Sequence, residues 1–190
     1  MNYQLNDENE VKELEKLTKY NLETERLSLL PLEPKQLELS IDDYGKMQRD
    51  LGLRATNIIL DEEMKHAMKV RLKKVLEDVE NFLWLTNWAI INKEKNQIIG
   101  FIMIKGSPND AGEVIVGYGI EENYRKNGYA TEALKKLTKW IFKNPKAKRV
   151  IADTEKANIP SHKVLENVGA IKYKETDELI WWKIERKSIM

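Results

Sequence analysis

Arg125, Lys126, Gly128, Ala130 and Thr131 are crowded into the stretch ENYRKNGYATEAL (Glu122 to Leu134), directly behind the apolar run VIVGYGI. A strand that ends just before a helix leaves the first helical N–H groups without partners. Together with the helix dipole they converge on a site for an anion such as phosphate. Gly128 lets the backbone approach a ligand or take a positive φ, and Ala130 keeps the approach uncrowded. Arg125 and Lys126 add charge beside those amides, and the Thr131 hydroxyl can cap the helix or donate to a ligand. Neither GxxxxGK[ST] nor GxGxxG is present, which disfavours nucleotide hydrolysis. A plain glycine turn into a capped helix, with solvated basic residues, explains the same segment; both readings stand on this stretch alone.

The elements that must hold this loop follow from hydrophobic periodicity. RLSLLPL (Arg26 to Leu32) reads as a strand, and Pro34 opens a helix containing Leu37 and Leu39. Between Asp61 and Glu80, Met64, Ala67, Met68, Leu72, Val75, Leu76 and Val79 form a helical stripe, with acids leading and lysines behind. WLTNWAII (Trp84 to Ile91) and IIGFIMI (Ile98 to Ile104) read as an antiparallel hairpin. EVIVGYGI (Glu113 to Ile120) follows, with Val114, Val116, Tyr118 and Ile120 on a packing face and Glu113, Ile115, Gly117 and Gly119 on a barer one. A helix from about Thr131 to Phe142, a strand RVIADT (Arg149 to Thr154), a helix from near Pro160 to Gly169 and two final strands complete the chain. This order is mixed α/β around a central sheet. Val11, Leu14 and Leu17 mark a short amphipathic helix ahead of the domain, read as a cap or as a contact in a homodimer.

Composition narrows the chemistry. The 190 residues fit one domain with one core. The absence of cysteine removes disulfides, thiolate nucleophiles and thiolate metal sites. A net charge of +1 gives no global attraction to nucleic acid or anionic lipid. No apolar run reaches the length of a membrane span, and the polar, acidic N-terminus lacks the signal-peptide pattern, which points to a cytoplasmic protein.

With these elements in place, YRKNGYATEAL behind a glycine-containing strand resembles the acyl-CoA-binding loop, R-x-x-G-x-A, of the GNAT superfamily of N-acetyltransferases. ADTEKANIPSHKVLENVGA (Ala152 to Ala170) is similar to the next strand and its N-x-x-S helix. TERLSLLPL, WLTNWAIINKEKNQIIGF and GEVIVGYGI are similar to the ribosomal-protein-acetyltransferase-like (RimJ/RimL-like) branch. The resemblance runs from about Thr24 to the C-terminus, dividing the chain into a helical extension (1–23) and an acetyltransferase domain (24–190). It implies a mixed, mostly antiparallel sheet of about seven strands, helices on both faces, and fourth and fifth strands that splay apart around the pantetheine arm. It implies acetyl-CoA as cosubstrate, no metal, and an amine acceptor, either a protein N-terminus or a small molecule, attacking directly in a ternary complex. Main-chain groups around Tyr118, Gly119 and Ile120 are then expected to hold the arm. The backbone of Arg125, Lys126, Asn127, Gly128, Tyr129 and Ala130, with Thr131 adjacent, would hold the pyrophosphate, and Asn158 and Ser161 would flank the arm.

The acid-base groups are the gap. Relatives commonly carry Glu where this chain has Ile115, and some carry Tyr where it has Leu165. Glu113, on the same strand face as Ile115, is the candidate base, against a surface role at the strand end. Ser161 is the candidate partner of the CoA sulfur, against purely local helix bonding. Tyr173 is a further candidate acid. His162 is declined because neighbouring helix residues face different ways, and His66 has no metal-site spacing. Trp84, Trp88, Trp181 and Trp182 read as core or sheet-face residues. KNPKAKR (Lys143 to Arg149) and Lys163 are solvated cations within reach of a 3′-phosphate. A non-catalytic acyl-CoA-binding module is the alternative function that Ile115 and Leu165 suggest.

Overall fold

The structure is a computed structural model that describes residues 19–188 apart from residues 57 and 59. The expected helix at Val11, Leu14 and Leu17 lies outside the described residues. The strands are β1 (Leu22–Glu23), β2 (Leu27–Pro31), β3 (Asn87–Asn92), β4 (Gln97–Ile104), β5 (Glu113–Ile120), β6 (Arg149–Glu155), β7 (Ile171–Glu175) and β8 (Leu179–Glu185). They form one sheet in the order β1-β2-β3-β4-β5-β6-β8-β7. Every pairing is antiparallel except β5 with β6. The eighth strand, beyond the expected seven, is the two-residue edge β1.

The helices are α1 (Pro34–Asp42), α2 (Tyr44–Asp50), α3 (Glu62–Glu77), α4 (Phe82–Leu85), α5 (Tyr129–Ile141) and α6 (Ile159–Asn167). Two cores lie on opposite faces of the sheet. The larger joins Leu27, Trp88, Ile102, Val114, Val116, Val150 and Trp182 to Ala133, Leu134, Leu137 and Leu165 of α5 and α6. The second packs Leu37, Met47, Met68 and Val75 of α1, α2 and α3 on Ala89, Ile91, Ile98 and Phe101, and among the described residues has no member beyond Phe101. Each fully buried Leu or Ile contributes about 1.5–3 kcal/mol of transfer free energy. The outer face of β5–β8 therefore stays open, and this asymmetry matters for the site.

Local chemistry sets the boundaries. The Asp61 carboxylate accepts from the Met64 N–H and starts α3, which ends at Glu77, so Val79 leaves the expected stripe. Leu76, about 100° round the helix from Val75, and Val79 are exposed rather than buried. Trp84 and Leu85, expected in a strand, form the last residues of α4 instead. The Trp84 ring packs there against Trp140, which also meets Trp88, at centroid distances of 4.8 and 5.3 Å. Tertiary packing of these three indoles overrides a β-rich local composition. At the close of α6, Gly169 takes φ 84°, the left-handed residue that the helix end requires.

Candidate functional site

The sheet opens where the resemblance places the arm. β5 and β6 pair at Glu113↔Arg149, Val114↔Val150 and Ile115↔Ile151 and no further, although β5 runs on to Ile120 and β6 to Glu155. On the other side of β5, the Lys105 N–H donates to the Ile115 carbonyl at 2.8 Å and the Glu121 N–H to the Ile99 carbonyl at 2.9 Å. Antiparallel alternation then turns the main chain of Gly117 and Gly119 onto β4 and that of Tyr118 and Ile120 into the gap. Gly119 thus offers the gap a bare surface rather than an amide. The Ile120 carbonyl already accepts from the Arg125 Nε at 2.9 Å.

Two strands this close need Gly100. A Cβ at that position would lie 2.2 Å from the Gly119 carbonyl oxygen and 3.0 Å from the Ile120 Cα. Tyr118 reaches across the opening from its packed face, and its hydroxyl donates to the Ser161 carbonyl at 3.2 Å. Burial pushes this phenol up to about 12, with the Ser161 side chain nearby opposing.

The loop behind β5 has the geometry of an anion cradle. Gly128 is the N-cap of α5 with φ 80°, and Lys126 also takes a positive φ, 65°. Such turns make concavities lined by successive N–H groups. The helix starts at Tyr129, two residues ahead of the expected Thr131, and has no side-chain cap. The first helical bond runs from the Glu132 N–H to the Gly128 carbonyl at 3.0 Å. Among the described residues, the N–H groups of Tyr129, Ala130 and Thr131 meet no acceptor. Thr131 is in the first turn and does not cap the helix. The Asn127 amide donates to the carbonyls of Tyr124 and Arg125 at 3.2 and 3.0 Å, so it staples the loop from inside.

A clamp that sequence reading missed holds this loop. The Arg26 Nε donates to the Glu132 Oε2 at 2.7 Å, and one terminal nitrogen donates to the Asn127 carbonyl at 3.0 Å. The guanidinium lies 4.6 Å from the Tyr129 ring centroid. The Thr24 hydroxyl donates to the Glu132 Oε1 at 2.6 Å. TERL was legible as part of a resemblance, but nothing in its local pattern announces a contact to the distant loop.

On the far side of the gap, Asn158 caps α6 by accepting from the Ser161 N–H at 3.2 Å. The Ser161 hydroxyl lies beside the Tyr118 phenol. Leu165 is fully buried in the core. His162 is buried, with Nε2 3.0 Å from the Glu155 carbonyl and its ring 5.5 Å from that of Trp182. His66 is exposed on α3. Tyr173 is exposed on the edge strand β7. Glu113 sits at the closed end of the splay, where Arg149 approaches within 3.5 Å and the Asn109 amide donates at 3.4 Å. Its carboxylate is engaged there rather than directed at the gap.

Residues 48–171 match the family model of the acetyltransferase (GNAT) domain, and the chain belongs to that family. It is 25% identical over 161 residues to the uncharacterized N-acetyltransferase YjdG of Bacillus subtilis (strain 168), a match covering 85% of this chain and 95% of that protein. Among solved structures, the fold is similar to the ribosomal-protein-S5-alanine acetyltransferase from Vibrio fischeri, with a TM-score of 0.66 and 18% identity over 88% of this chain and 97% of that one. It is also similar to Mycobacterium smegmatis RimJ in complex with CoA-disulfide, with a TM-score of 0.61 and 18% identity over 86% and 83% of the two chains. No helix of the described residues is long and apolar enough to cross a membrane.

Proposed function

We propose that this protein transfers the acetyl group of acetyl-CoA to a primary amine by direct attack in a ternary complex. The observation that carries this reading is the continuity of the β5–β6 opening with the uncapped start of α5. A slot bordered by β5 main-chain groups that have no β6 partner leads to an anion cradle. An acyl carrier with an extended amide-bearing arm and a diphosphate fits those two parts in that order. The backbone of residues 125–130 holds the diphosphate, Tyr118 and Ile120 hold the arm, and Asn158 and Ser161 line its other side. Family membership and the CoA-disulfide in the similar RimJ structure support the same ligand.

No covalent enzyme intermediate is called for. Bound in the slot, the thioester faces the open side of β5, and the free amine attacks its carbonyl carbon. The second reading, an acyl-CoA-binding module without turnover, is favoured by the burial of Leu165 and by Ile115 standing where relatives carry an acid. Isothermal titration with acetyl-CoA tests the binding half, and thiol release in the presence of primary amines tests the transfer half. Binding without release by any amine selects the second reading; absence of binding removes both.

A further inference from the structure

From the geometry we infer that Asp153 is the carboxylate that receives the acceptor amine, and that Lys105 occupies this amine subsite in the free protein. The inference rests on the proposed transfer reaction and names the acceptor side of that same site.

The parallel register carries Asp153 to the reacting position. Ile115↔Ile151 is the last β5–β6 pair, so two residues farther along each strand Gly117 and Asp153 stand opposite each other across the opening. Strand alternation puts Asp153 on the open face, since Ala152 and Thr154 are buried beneath it. The Thr154 hydroxyl is engaged on that inner side by the Trp182 indole at 2.9 Å. Asp153 therefore borders the slot on the same face as Ile115, the position where relatives commonly place their base, but from the opposite strand.

Lys105 supplies the second observation. It directly follows β4, one strand beyond β5, yet its Nζ lies 3.8 Å from the Asp153 Oδ1. Its stem crosses over Gly117, where a Cβ would come within 4.0 Å of the Lys105 Cε. Both side chains are partly exposed, at 42% and 30%. A primary ammonium is thus held by a carboxylate directly above the slot, which is the arrangement an incoming acceptor must reproduce. A third observation is the indole N–H of Trp181, the β8 residue paired with Asp153, which is buried and has no partner among the described residues.

The charged and titratable groups around Asp153 are Lys105 just past β4, Glu113 on β5, Arg149 on its own strand, Lys183 on β8, and Tyr173 and Lys174 on β7. Glu113 and Arg149 pair with each other, and Lys183 approaches Glu185 at 3.1 Å, which leaves Lys105 as the counter-ion that an acceptor displaces. In the reaction the acceptor ammonium loses one proton to solvent. Its nitrogen then bonds to the thioester carbonyl carbon while Asp153 takes a second proton. The C–S bond breaks, and that proton passes to the departing thiolate, giving amide and free thiol.

The test compares wild type, Asp153→Asn, Asp153→Glu and Lys105→Met, with acetyl-CoA and saturating n-butylamine as the probe acceptor. Loss of a general base is expected to lower kcat of Asp153→Asn by about 10²–10⁴-fold, with acetyl-CoA affinity unchanged and Asp153→Glu partly active. Lys105→Met should lower KM for the amine, because the acceptor then displaces no resident ammonium. Equal kcat in wild type and Asp153→Asn would overturn the proposal. If Asp153→Asn does not fold, lost turnover in a folded Lys105→Met would overturn it by showing the pair to be structural. A wild type that fails to bind acetyl-CoA or to release thiol refutes the proposed function instead, and this inference falls with it.

Discussion

Arg26 and Glu132, 106 positions apart in the chain, meet through a two-pronged contact, with Nε and a terminal nitrogen of the guanidinium at 2.7 and 2.6 Å from the same carboxylate oxygen. The contact fastens the turn between β1 and β2 to the first turn of α5. Because the same guanidinium holds the Asn127 carbonyl, the shape of the anion cradle depends on an element outside it.

Arg26→Ala should therefore loosen the loop. Acetyl-CoA affinity is expected to fall about tenfold, equivalent to ~1.4 kcal/mol, and stability by about 1–2 kcal/mol. Arg26→Lys should not restore affinity, since an ammonium cannot reproduce the planar fork. Calorimetric titration checks both, and unchanged affinity in Arg26→Ala would remove the coupling.

The same contact gives an acid-side prediction. Burial raises the Glu132 carboxyl, but the bonds from Thr24 and Arg26 outweigh it and hold the group below its ordinary 4.5. A group depressed in the fold stabilises above its unfolded pKa, and that stabilisation disappears as pH falls through the folded value. Urea unfolding of wild type and Glu132→Gln should converge on acidification below pH 4.5; a gap that stays constant would refute the linkage.

Gly128→Val places a β-branched residue at φ 80°. The nearest atom to a new Cβ is an Arg26 nitrogen at 3.5 Å, so space exists and the cost is conformational, about 1–2 kcal/mol for the left-handed backbone. The domain should remain folded by circular dichroism while acetyl-CoA binding is lost. Retained binding would show that the cradle lies elsewhere.

Gly100→Ala, by contrast, has no room. The methyl must push β4 from β5, with an expected loss of about 1–3 kcal/mol and weaker acetyl-CoA binding, because the displaced segment carries Tyr118 and Ile120. Denaturant midpoints and titration of the folded fraction read the two effects separately; a neutral substitution would contradict the close approach.

Tyr118→Phe removes the bond to the Ser161 carbonyl, at an expected cost of about 1 kcal/mol. The phenol is raised from 10 to about 12 in the fold, so it stabilises fully below pH 10 and progressively less as pH rises towards 12. The wild-type advantage over Tyr118→Phe should shrink across that interval. An advantage that grew instead would show a phenol stabilised as the anion.

The strands, the long helix α3 and the loop at Gly128 were legible because each is written in local periodicity or in a glycine with one structural use. Trp84 misled because an aromatic run has strand character until tertiary packing claims it. The clamp from Arg26 was invisible because its two ends are distant and each looks like an ordinary surface charge. Glu113 attracted attention by facing the same way as Ile115, and its engagement by Arg149 depends on a strand partnership that appears only when β5 and β6 meet. Asp153 left a weak trace, a carboxylate in alternate register with Arg149 and Ile151 inside RVIADT. Its relation to Gly117 required the register of two strands separated by a helix.

The opening beyond Ile115↔Ile151 amounts to a sheet edge enclosed within the molecule rather than displayed at its rim. Edges on the outside recruit strands from other chains, but this one is approachable only by something narrow. A thin arm bearing amides would complete the ladder as a non-peptide strand. Amide exchange at Tyr118 and Ile120 would then slow on loading, so the ligand would register as secondary structure gained.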